Sequence, residues 1–126
     1  MTASILVVED NRANMELTEC LLKASGYQPL LALSGAEGVR MATDAPPDLI
    51  LMDIQMPGMD GYEATAAIKR DPELRACPVV AVTAFAMVGD RDRILSQGFA
   101  GYISKPIEAE TFVSQVEAYL APGLRT

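Results

Sequence analysis

The chain has 126 residues, of which 50% are hydrophobic, and its 17 acidic and 10 basic residues give a formal net charge of −7. This length suits one domain with one core, and the negative charge argues against direct nucleic-acid binding because phosphate backbones attract positively charged faces. The chain has no histidine, which excludes Ser-His and Cys-His hydrolases and a phosphohistidine intermediate.

Membrane insertion and secretion have no support in the sequence. No apolar run reaches the roughly 20 residues that a bilayer span requires, and the N-terminus lacks the basic stretch, apolar core and cleavage site of a secretory signal. We therefore predict a cytoplasmic protein. Cys20 and Cys77 have the spacing of neither a zinc site nor a disulfide framework, and we expect both to be buried as small apolar residues.

Short β-branched or leucine-rich runs alternate with segments of helical period along the chain. This alternation predicts five strand–helix units and a parallel sheet with helices on both faces. After the first strand, an apolar stripe predicts an amphipathic helix of about twelve residues that ends near Gly26; the stripe comprises Ala13, Leu17, Cys20, Leu21 and Ala24. A weaker second strand at 28–33 precedes a capping box at residues 34–37, which opens a short helix.

The second half of the chain continues the same pattern. A continuous apolar run at 48–52 predicts a central strand buried on both faces, and Asp60 and Glu63 then open the next helix. The fourth strand, at 79–82, precedes a short polar helix that Gly98 ends, and the fifth strand lies near 101–104. The last helix has an apolar stripe made of Ala109, Phe112, Val113, Val116 and Leu120.

Four of these strands run into residues that can handle a phosphoryl group. The first leads to Glu9 and Asp10, the third to Asp53, the fourth to Thr83 and the fifth to Lys105. The carboxyl ends of parallel strands form one crevice, where ligands of open α/β sheets bind. We therefore predict that these five side chains surround a single hollow.

The acidic members of this set predict a metal site. Carboxylates held about 4 Å apart repel by roughly 4 kcal/mol per pair at an effective dielectric of about 20, so a cation must compensate. Mg²⁺, or Mn²⁺ in its place, suits hard oxygen ligands and phosphate oxygens. We assign Asp10 and Asp53 as direct ligands and Glu9 as a ligand through water. The backbone carbonyl of Gln55 is a further predicted ligand.

The same set predicts phosphoryl chemistry. A carboxylate can attack phosphorus and form an acyl phosphate, and Asp53 is the candidate at the centre of the sheet. Lys105 can contact a phosphoryl oxygen or pair with Asp53 when no phosphate is present, and Thr83 can donate its hydroxyl. Each residue alone has an ordinary explanation as a turn residue, helix cap, strand residue or solvated charge. The prediction therefore depends on their combination.

Four motifs resemble those of response-regulator receiver domains, the CheY-like superfamily: LVVEDN, PDLILMDIQMPGMDGYE, PVVAVTAFA and GYISKPI. The stretch VTAFAMVGD is most similar to DivK-like single-domain regulators. The resemblance implies a (βα)5 flavodoxin-like, doubly wound five-stranded parallel sheet in the order 2-1-3-4-5. It also implies a single receiver domain over residues 1–126, with a core at about 4–120 and no effector domain. By motif, Asp53 is the phosphoacceptor, Thr83 the switch hydroxyl and Tyr102 the switch aromatic.

The expected function is that of a phosphoacceptor in a two-component phosphorelay. A histidine kinase or a histidine phosphotransfer protein phosphorylates Asp53 in a Mg²⁺-dependent step, which the chain itself assists. A downstream protein then binds the surface of the fourth helix, the fifth strand and the last helix. The first residues to test there are Ala86, Met87, Ile94, Phe99 and Tyr102. Gln55 and Phe85 flank the predicted route of an attacking water and are expected to tune the lifetime of the acyl phosphate.

Three alternatives stay open. A phosphatase-like enzyme with an Asp nucleophile would have a second acid two residues after Asp53, where this chain has Gln55. A phosphorylation-independent interaction module would lack part of the acid pair, Thr83 or Lys105. A receiver cut from a hybrid histidine kinase would share these motifs, although the start at Met1 favours a free-standing regulator. Nucleotide-binding loops of the GxxxxGK[ST] or GxGxxG type do not occur.

Overall fold

The computed structural model describes residues 2–84 and 88–125. Strands and helices alternate as predicted: β1 (Ser4–Val8), α1 (Arg12–Ala24), β2 (Gln28–Ala32), α2 (Gly35–Asp44), β3 (Leu49–Asp53), α3 (Gly61–Arg70), β4 (Val79–Thr83), α4 (Val88–Ser96), β5 (Gly101–Ser104) and α5 (Phe112–Glu117). A short 3-10 helix follows at Pro122–Leu124. Among the helices of the described residues, none combines the length and apolar character that a bilayer crossing needs.

All five strands belong to one parallel sheet in the order β2-β1-β3-β4-β5, which confirms the predicted topology. Strands β3 and β4 are buried at every position, as expected for apolar runs covered on both faces. One face packs against α2, α3 and α4, with Ile68 and Ile94 in its core. The other face packs against α1 and α5 through Leu22 and Phe112.

Side-chain caps fix where the helices of one face begin. The Ser34 hydroxyl accepts from the backbone N–H of Glu37 at 3.1 Å, and the Glu37 carboxylate accepts from the N–H of Leu33 at 3.3 Å. Asp60 and Glu63 form the full reciprocal capping box of α3. Helix α3 therefore begins at a defined point after the loop that follows Asp53.

The inward face of α1 differs from the predicted one. Met15, Thr18 and Leu22 are buried, and Thr18 tolerates burial because its hydroxyl donates to the carbonyl of Asn14 at 2.9 Å. Of the predicted stripe, Leu21 is half-buried and packs against the core, whereas the other members are exposed: Ala13, Leu17, Cys20 and Ala24. The expectation that both cysteines are buried is wrong for Cys20, and Cys77 is half-buried.

Helix α5 has only six residues and is shorter than its apolar stripe predicts. Ala109 lies in the preceding turn and is exposed, whereas Phe112 and Val116 are buried within the helix. Beyond the helix, the N–H of Leu120 donates to the carbonyl of Glu117 at 3.1 Å. Tighter i to i+3 bonds of this kind end the helix while Leu120 stays buried.

Gly61 packs against the backbone at the end of β3, and this contact leads to a stability prediction. A β-carbon at Gly61 would clash with the carbonyl oxygen of Asp53 and lie 2.6 Å from the Cα of Ile54. Neither backbone atom can rotate away. We therefore expect Gly61→Ala to destabilise the fold by about 2–3 kcal/mol, measured as a lower urea midpoint at an unchanged slope.

Gly89 provides the matched control for this substitution. No described atom lies within 4 Å of the position of its β-carbon, and alanine favours a helix over glycine by about 0.5–1 kcal/mol. Gly89→Ala should therefore be neutral or stabilising. A Gly61→Ala protein as stable as the Gly89→Ala protein would show that α3 does not approach the end of β3 this closely.

Candidate metal and phosphoryl site

Strand pairing brings the predicted site residues to one edge of the sheet. Asp53 and Thr83 are the last residues of β3 and β4, and Glu9 and Lys105 directly follow β1 and β5. The backbone N–H of Glu9 donates to the carbonyl of Ala32 at 3.0 Å, and that of Lys105 donates to the carbonyl of Thr83 at 2.8 Å. The backbone of the site is thus held by continuations of the sheet ladder.

The predicted side chains line an open cleft of about 210 Å³. Glu9, Asp53 and Thr83 are buried, with 5%, 6% and 2% of their surface exposed. Asp10 is exposed and Lys105 is half-buried. The remaining lining residues are Asn11, Asn14, Gln55 and Ala84. Asp53 is therefore surrounded by protein except on the side that faces the open cleft.

Three carboxylates converge in this cleft. Glu9, Asp10 and Asp53 each place an oxygen within 4.8 Å of the other two. Hard oxygen donors at this spacing fit Mg²⁺, which proteins usually hold through one or two carboxylates and several waters. The backbone N–H of Gln55 donates to Oδ1 of Asp53 at 3.3 Å, which places Gln55 at the cleft, while the ligand role of its carbonyl stays a prediction.

Lys105 contacts two of these acids. Its Nζ lies 2.7 Å from Oε1 of Glu9 and 3.3 Å from Oδ1 of Asp53. The predicted neighbour Asp53 is therefore present, but Glu9 is nearer, and the sequence did not identify that pair. Glutamate is one methylene longer than aspartate, which gives the first acid the reach to meet an ammonium group across the cleft.

The charges in the cleft shift one another's pKa values. Burial and the neighbouring Glu9 carboxylate raise the pKa of Asp53 to about 7. Burial alone would raise the pKa of Glu9, but its contacts with Asp53 and Lys105 lower it overall. Burial opposes the charge of Lys105, yet the two acids outweigh this effect and raise its pKa. Lys105 therefore lies nearer to Glu9, whose pKa is lowered, than to Asp53, whose pKa is raised, and the two carboxyl groups titrate as a coupled pair.

Two arginine–tyrosine stacks lie next to the cleft, and the sequence did not reveal either. The guanidinium carbon of Arg91 lies 5.3 Å from the ring centre of Tyr102, the predicted switch aromatic. That of Arg93 lies 4.0 Å from the ring centre of Tyr62. Both arginines are in α4, whereas the tyrosines are in β5 and α3, so these contacts depend on the tertiary fold.

The predicted partner surface needs correction. Ile94 and Phe99 are 0% and 4% exposed, and both pack into the core beside α3. They cannot serve as first contacts, because their side chains are enclosed by the core. Tyr102 is half-buried, and Leu95, which is 53% exposed, is the large apolar residue that the described side chains of α4 present. The other residues expected on this surface, Ala86 and Met87, lie outside the described residues, as does Phe85, which was predicted to flank the route of an attacking water.

Comparison with known families agrees with this geometry. The family model of the response regulator receiver domain matches residues 5–117. The polar-differentiation response regulator DivK of Brucella ovis is 50% identical over 120 residues, which cover 95% of this chain and 98% of that protein. DivK of Brucella anthropi is 48% identical with the same coverage.

Solved structures show the same similarity. The chemotaxis protein CheY4 of Vibrio cholerae has a TM-score of 0.91 and 25% identity, covering 95% of this chain and 100% of that one. The receiver domain of the sensor histidine kinase PA1611 from Pseudomonas aeruginosa has a TM-score of 0.86 and 35% identity over 94% of this chain and 98% of its own, and a magnesium ion is coordinated in its active-site cleft. With its sheet order, its acidic cleft and these matches, the chain belongs to the response-regulator receiver domain family and is similar to DivK.

Proposed function

We propose that this receiver domain is the phosphoacceptor of a phosphorelay and that Asp53 receives the phosphoryl group. The observation that carries the proposal is the position of Asp53 in the open cleft, 3.3 Å from Nζ of Lys105. Glu9 and Asp10 each place a carboxylate oxygen within 4.8 Å of a carboxylate oxygen of Asp53. A nucleophile, two further acids and a cationic side chain are the groups that an aspartyl-phosphate site needs.

The proposed donor is a histidine kinase or a histidine phosphotransfer protein. An oxygen of Asp53 forms a bond to phosphorus while the N–P bond of the donor breaks and its electron pair returns to the imidazole nitrogen. The product is an acyl phosphate. Hydrolysis ends the signal. Water attacks phosphorus and releases a proton to solvent, the bond between phosphorus and the Asp53 oxygen breaks with its electron pair returning to the carboxylate, and inorganic phosphate leaves. The chain is both substrate and partial catalyst in these steps.

The proposed metal is Mg²⁺ or Mn²⁺. Asp10 and Asp53 would hold it directly, Glu9 through water, and Gln55 through its backbone carbonyl. When bound, the ion supplies positive charge against the acids and the phosphoryl oxygens. The spacing of the three carboxylates supports this assignment, as does the magnesium ion in the cleft of the PA1611 receiver domain.

Signal output is proposed to begin at Thr83 and Tyr102. The new phosphoryl oxygens attract the Thr83 hydroxyl, Tyr102 turns inward, and the surface of α4, β5 and α5 changes its population of shapes. A downstream protein then binds this surface, with Leu95 as the first residue to substitute. We propose that residues 4–120 act as one receiver unit and that output passes through protein binding, in keeping with the net charge of −7.

Amide NMR spectra test the proposal directly. Spectra are recorded with Mg²⁺ alone and with Mg²⁺ plus beryllofluoride, an analogue of the phosphoryl group. We expect the largest beryllofluoride-dependent shifts at Asp53, Thr83 and Tyr102. Asp44→Asn serves as a control for removal of an acidic group outside the cleft, since Asp44 is exposed at the end of α2. This variant should respond as the unmodified protein does. Absence of shifts, or shifts centred outside the cleft, would refute Asp53 as the acceptor.

A further inference from the structure

We propose that Arg91 is a positioning residue for the switch. Its guanidinium holds the Tyr102 ring in its half-buried position and couples that ring to α4. The coupling rests on the proposed function, in which Tyr102 turns inward after Asp53 is phosphorylated. The stack itself places 5.3 Å between the Arg91 guanidinium carbon and the ring centre.

The described side chains of α4 are mostly exposed. Among the described side chains of this helix, Ile94 is the buried one, and the others are half-buried or exposed. Ile94 packs into the core on the α3 side of the sheet. The stacks of Arg91 on Tyr102 and of Arg93 on Tyr62 are two further contacts of this helix, with β5 and α3 respectively.

Helix geometry places these two stacks on opposite sides of Ile94. Successive residues are about 100° apart around a helix, so Arg93 lies about 100° from Ile94 in one direction. Arg91, three residues before Ile94, lies about 60° away in the other direction. The buried isoleucine is thus a central anchor with one guanidinium stack on each flank.

The two flanks differ in what lies beneath them. Arg93 covers Tyr62, whose ring packs edge to face on buried Phe99 at 5.9 Å and 88°. Arg91 covers Tyr102, which pairs with Ala81 in the strand that ends at Thr83. Only the Arg91 stack therefore involves the residue that is proposed to move. Inward rotation of Tyr102 breaks this stack, while Ile94 and the Arg93 stack stay in place as a pivot.

This arrangement makes Arg91 oppose activation. A guanidinium over a tyrosine ring stabilises the arrangement in which both groups are partly exposed. Loss of the stack should raise the fraction of inward Tyr102 before any phosphoryl group is present and favour ligands that select that form. Removal of a positive charge would, by simple electrostatics, weaken the binding of an anion. The two effects have opposite signs, so the direction of the change identifies the cause.

The test compares Arg91→Gln with Arg93→Gln as the matched control on the same helix. Beryllofluoride is titrated in the presence of Mg²⁺ and followed at the Thr83 amide, and the Tyr102 ring signals of the free proteins are recorded. We expect Arg91→Gln to lower the half-saturating beryllofluoride concentration about two- to fivefold and to move the free Tyr102 signals towards their bound positions. Arg93→Gln should change neither. In a Tyr102→Leu background, Arg91→Gln should have no effect on the titration.

Each other outcome has a defined meaning. If Arg91→Gln leaves the titration and the Tyr102 signals unchanged, or weakens beryllofluoride binding, the positioning role is refuted. An equal effect of Arg91→Gln in the Tyr102→Leu background also refutes it, because the effect then passes through another contact. If beryllofluoride fails to shift Asp53 in the unmodified protein, the proposed function fails, whereas the Tyr102 ring signals of the free variants still decide whether the stack exists.

Discussion

Asp53→Asn is expected to abolish phosphorylation and, at the same time, to stabilise the metal-free protein. An amide cannot form the acyl phosphate, so no label should transfer from a competent histidine kinase or phosphotransfer protein. The amide also carries no charge in a cleft where Glu9 already supplies a buried carboxylate next to Asp53. Function and stability should therefore change in opposite directions, as is typical where a site holds like charges together.

The pKa of Asp53 sets the size and the pH range of the stability gain. Its pKa is raised from 3.8 to about 7 in the folded protein. A carboxyl group with a raised folded pKa contributes its stability fully below about pH 4 and loses it as the pH rises to about 7. At 1.36 kcal/mol per unit, the upper limit is about 4 kcal/mol, and sharing of the proton with Glu9 reduces it to about 1–3 kcal/mol. Asp53→Asn cannot ionise and should not lose this stability.

Urea unfolding from about pH 4 to pH 8 without divalent ions measures this effect. The curves of the unmodified protein and Asp53→Asn should converge near pH 4 and separate by pH 8, while Asp44→Asn follows the unmodified protein. Saturating Mg²⁺ should narrow the gap, since a ligand at 100 times its Kd stabilises the native state by about 2.7 kcal/mol. A gap that is independent of pH, or transfer of label to the variant, would contradict the assignment of Asp53.

The central position of β3 and the location of the site follow from local features of the sequence, whereas the full strand order was predicted from the resemblance to receiver domains. The apolar run before Asp53 shows no alternation, which places its strand at the centre of the sheet. Parallel strands present their carboxyl ends on one edge, so polar residues at the ends of β1, β3, β4 and β5 had to meet. The capping boxes are equally local, because three residues of spacing suffice to form them.

The sequence predicted the position of α1 but not the face that this helix buries. Helix α1 has two sets of residues at helical spacing, and it buries Met15, Thr18 and Leu22 rather than the stripe that contains Leu17 and Cys20. Periodicity gives the spacing of a stripe but not its direction relative to the sheet. Thr18 joins the core because its hydroxyl finds a partner within the helix, which a count of apolar residues cannot register.

The contacts that the sequence did not reveal join residues that are far apart along the chain. Lys105 and Glu9 are 96 positions apart, yet their charged atoms lie 2.7 Å apart. This pair depends on the reach of two long side chains across a cleft. The stacks of Arg91 and Arg93 likewise depend on how α4 lies over its neighbours. Such contacts can be identified only from the tertiary arrangement, whereas the site residues themselves can be identified from the sequence.

Lys105→Met is expected to destabilise the metal-free protein by about 2–4 kcal/mol at pH 8, because removal of one partner leaves a buried charge uncompensated. The side chains of Glu9 and Asp53 are only 6% and 8% exposed, so water cannot solvate these two carboxylates well once the Lys105 ammonium group is removed. Loss of Lys105 should raise the pKa of Asp53 further and should remove part of the lowering of the pKa of Glu9. The cost should therefore decrease as the pH falls towards 5 and Asp53 takes up its proton. Urea unfolding at both pH values measures the difference.

Lys23→Met is the matched control, because Lys23 pairs with Glu19 at 3.1 Å on the surface of α1 and its side chain is 63% exposed. Exposed pairs of this type contribute at most about 0.5 kcal/mol, and the control should show no dependence on pH over this range. Mg²⁺ should recover much of the loss in Lys105→Met and none in Lys23→Met, since a divalent ion supplies the charge that Glu9 and Asp53 then lack. Equal losses in the two variants would mean that Lys105 contributes no more than an exposed ion pair. A larger loss in Lys105→Met that Mg²⁺ does not recover would mean that Lys105 acts through packing and not by neutralising the acidic cleft.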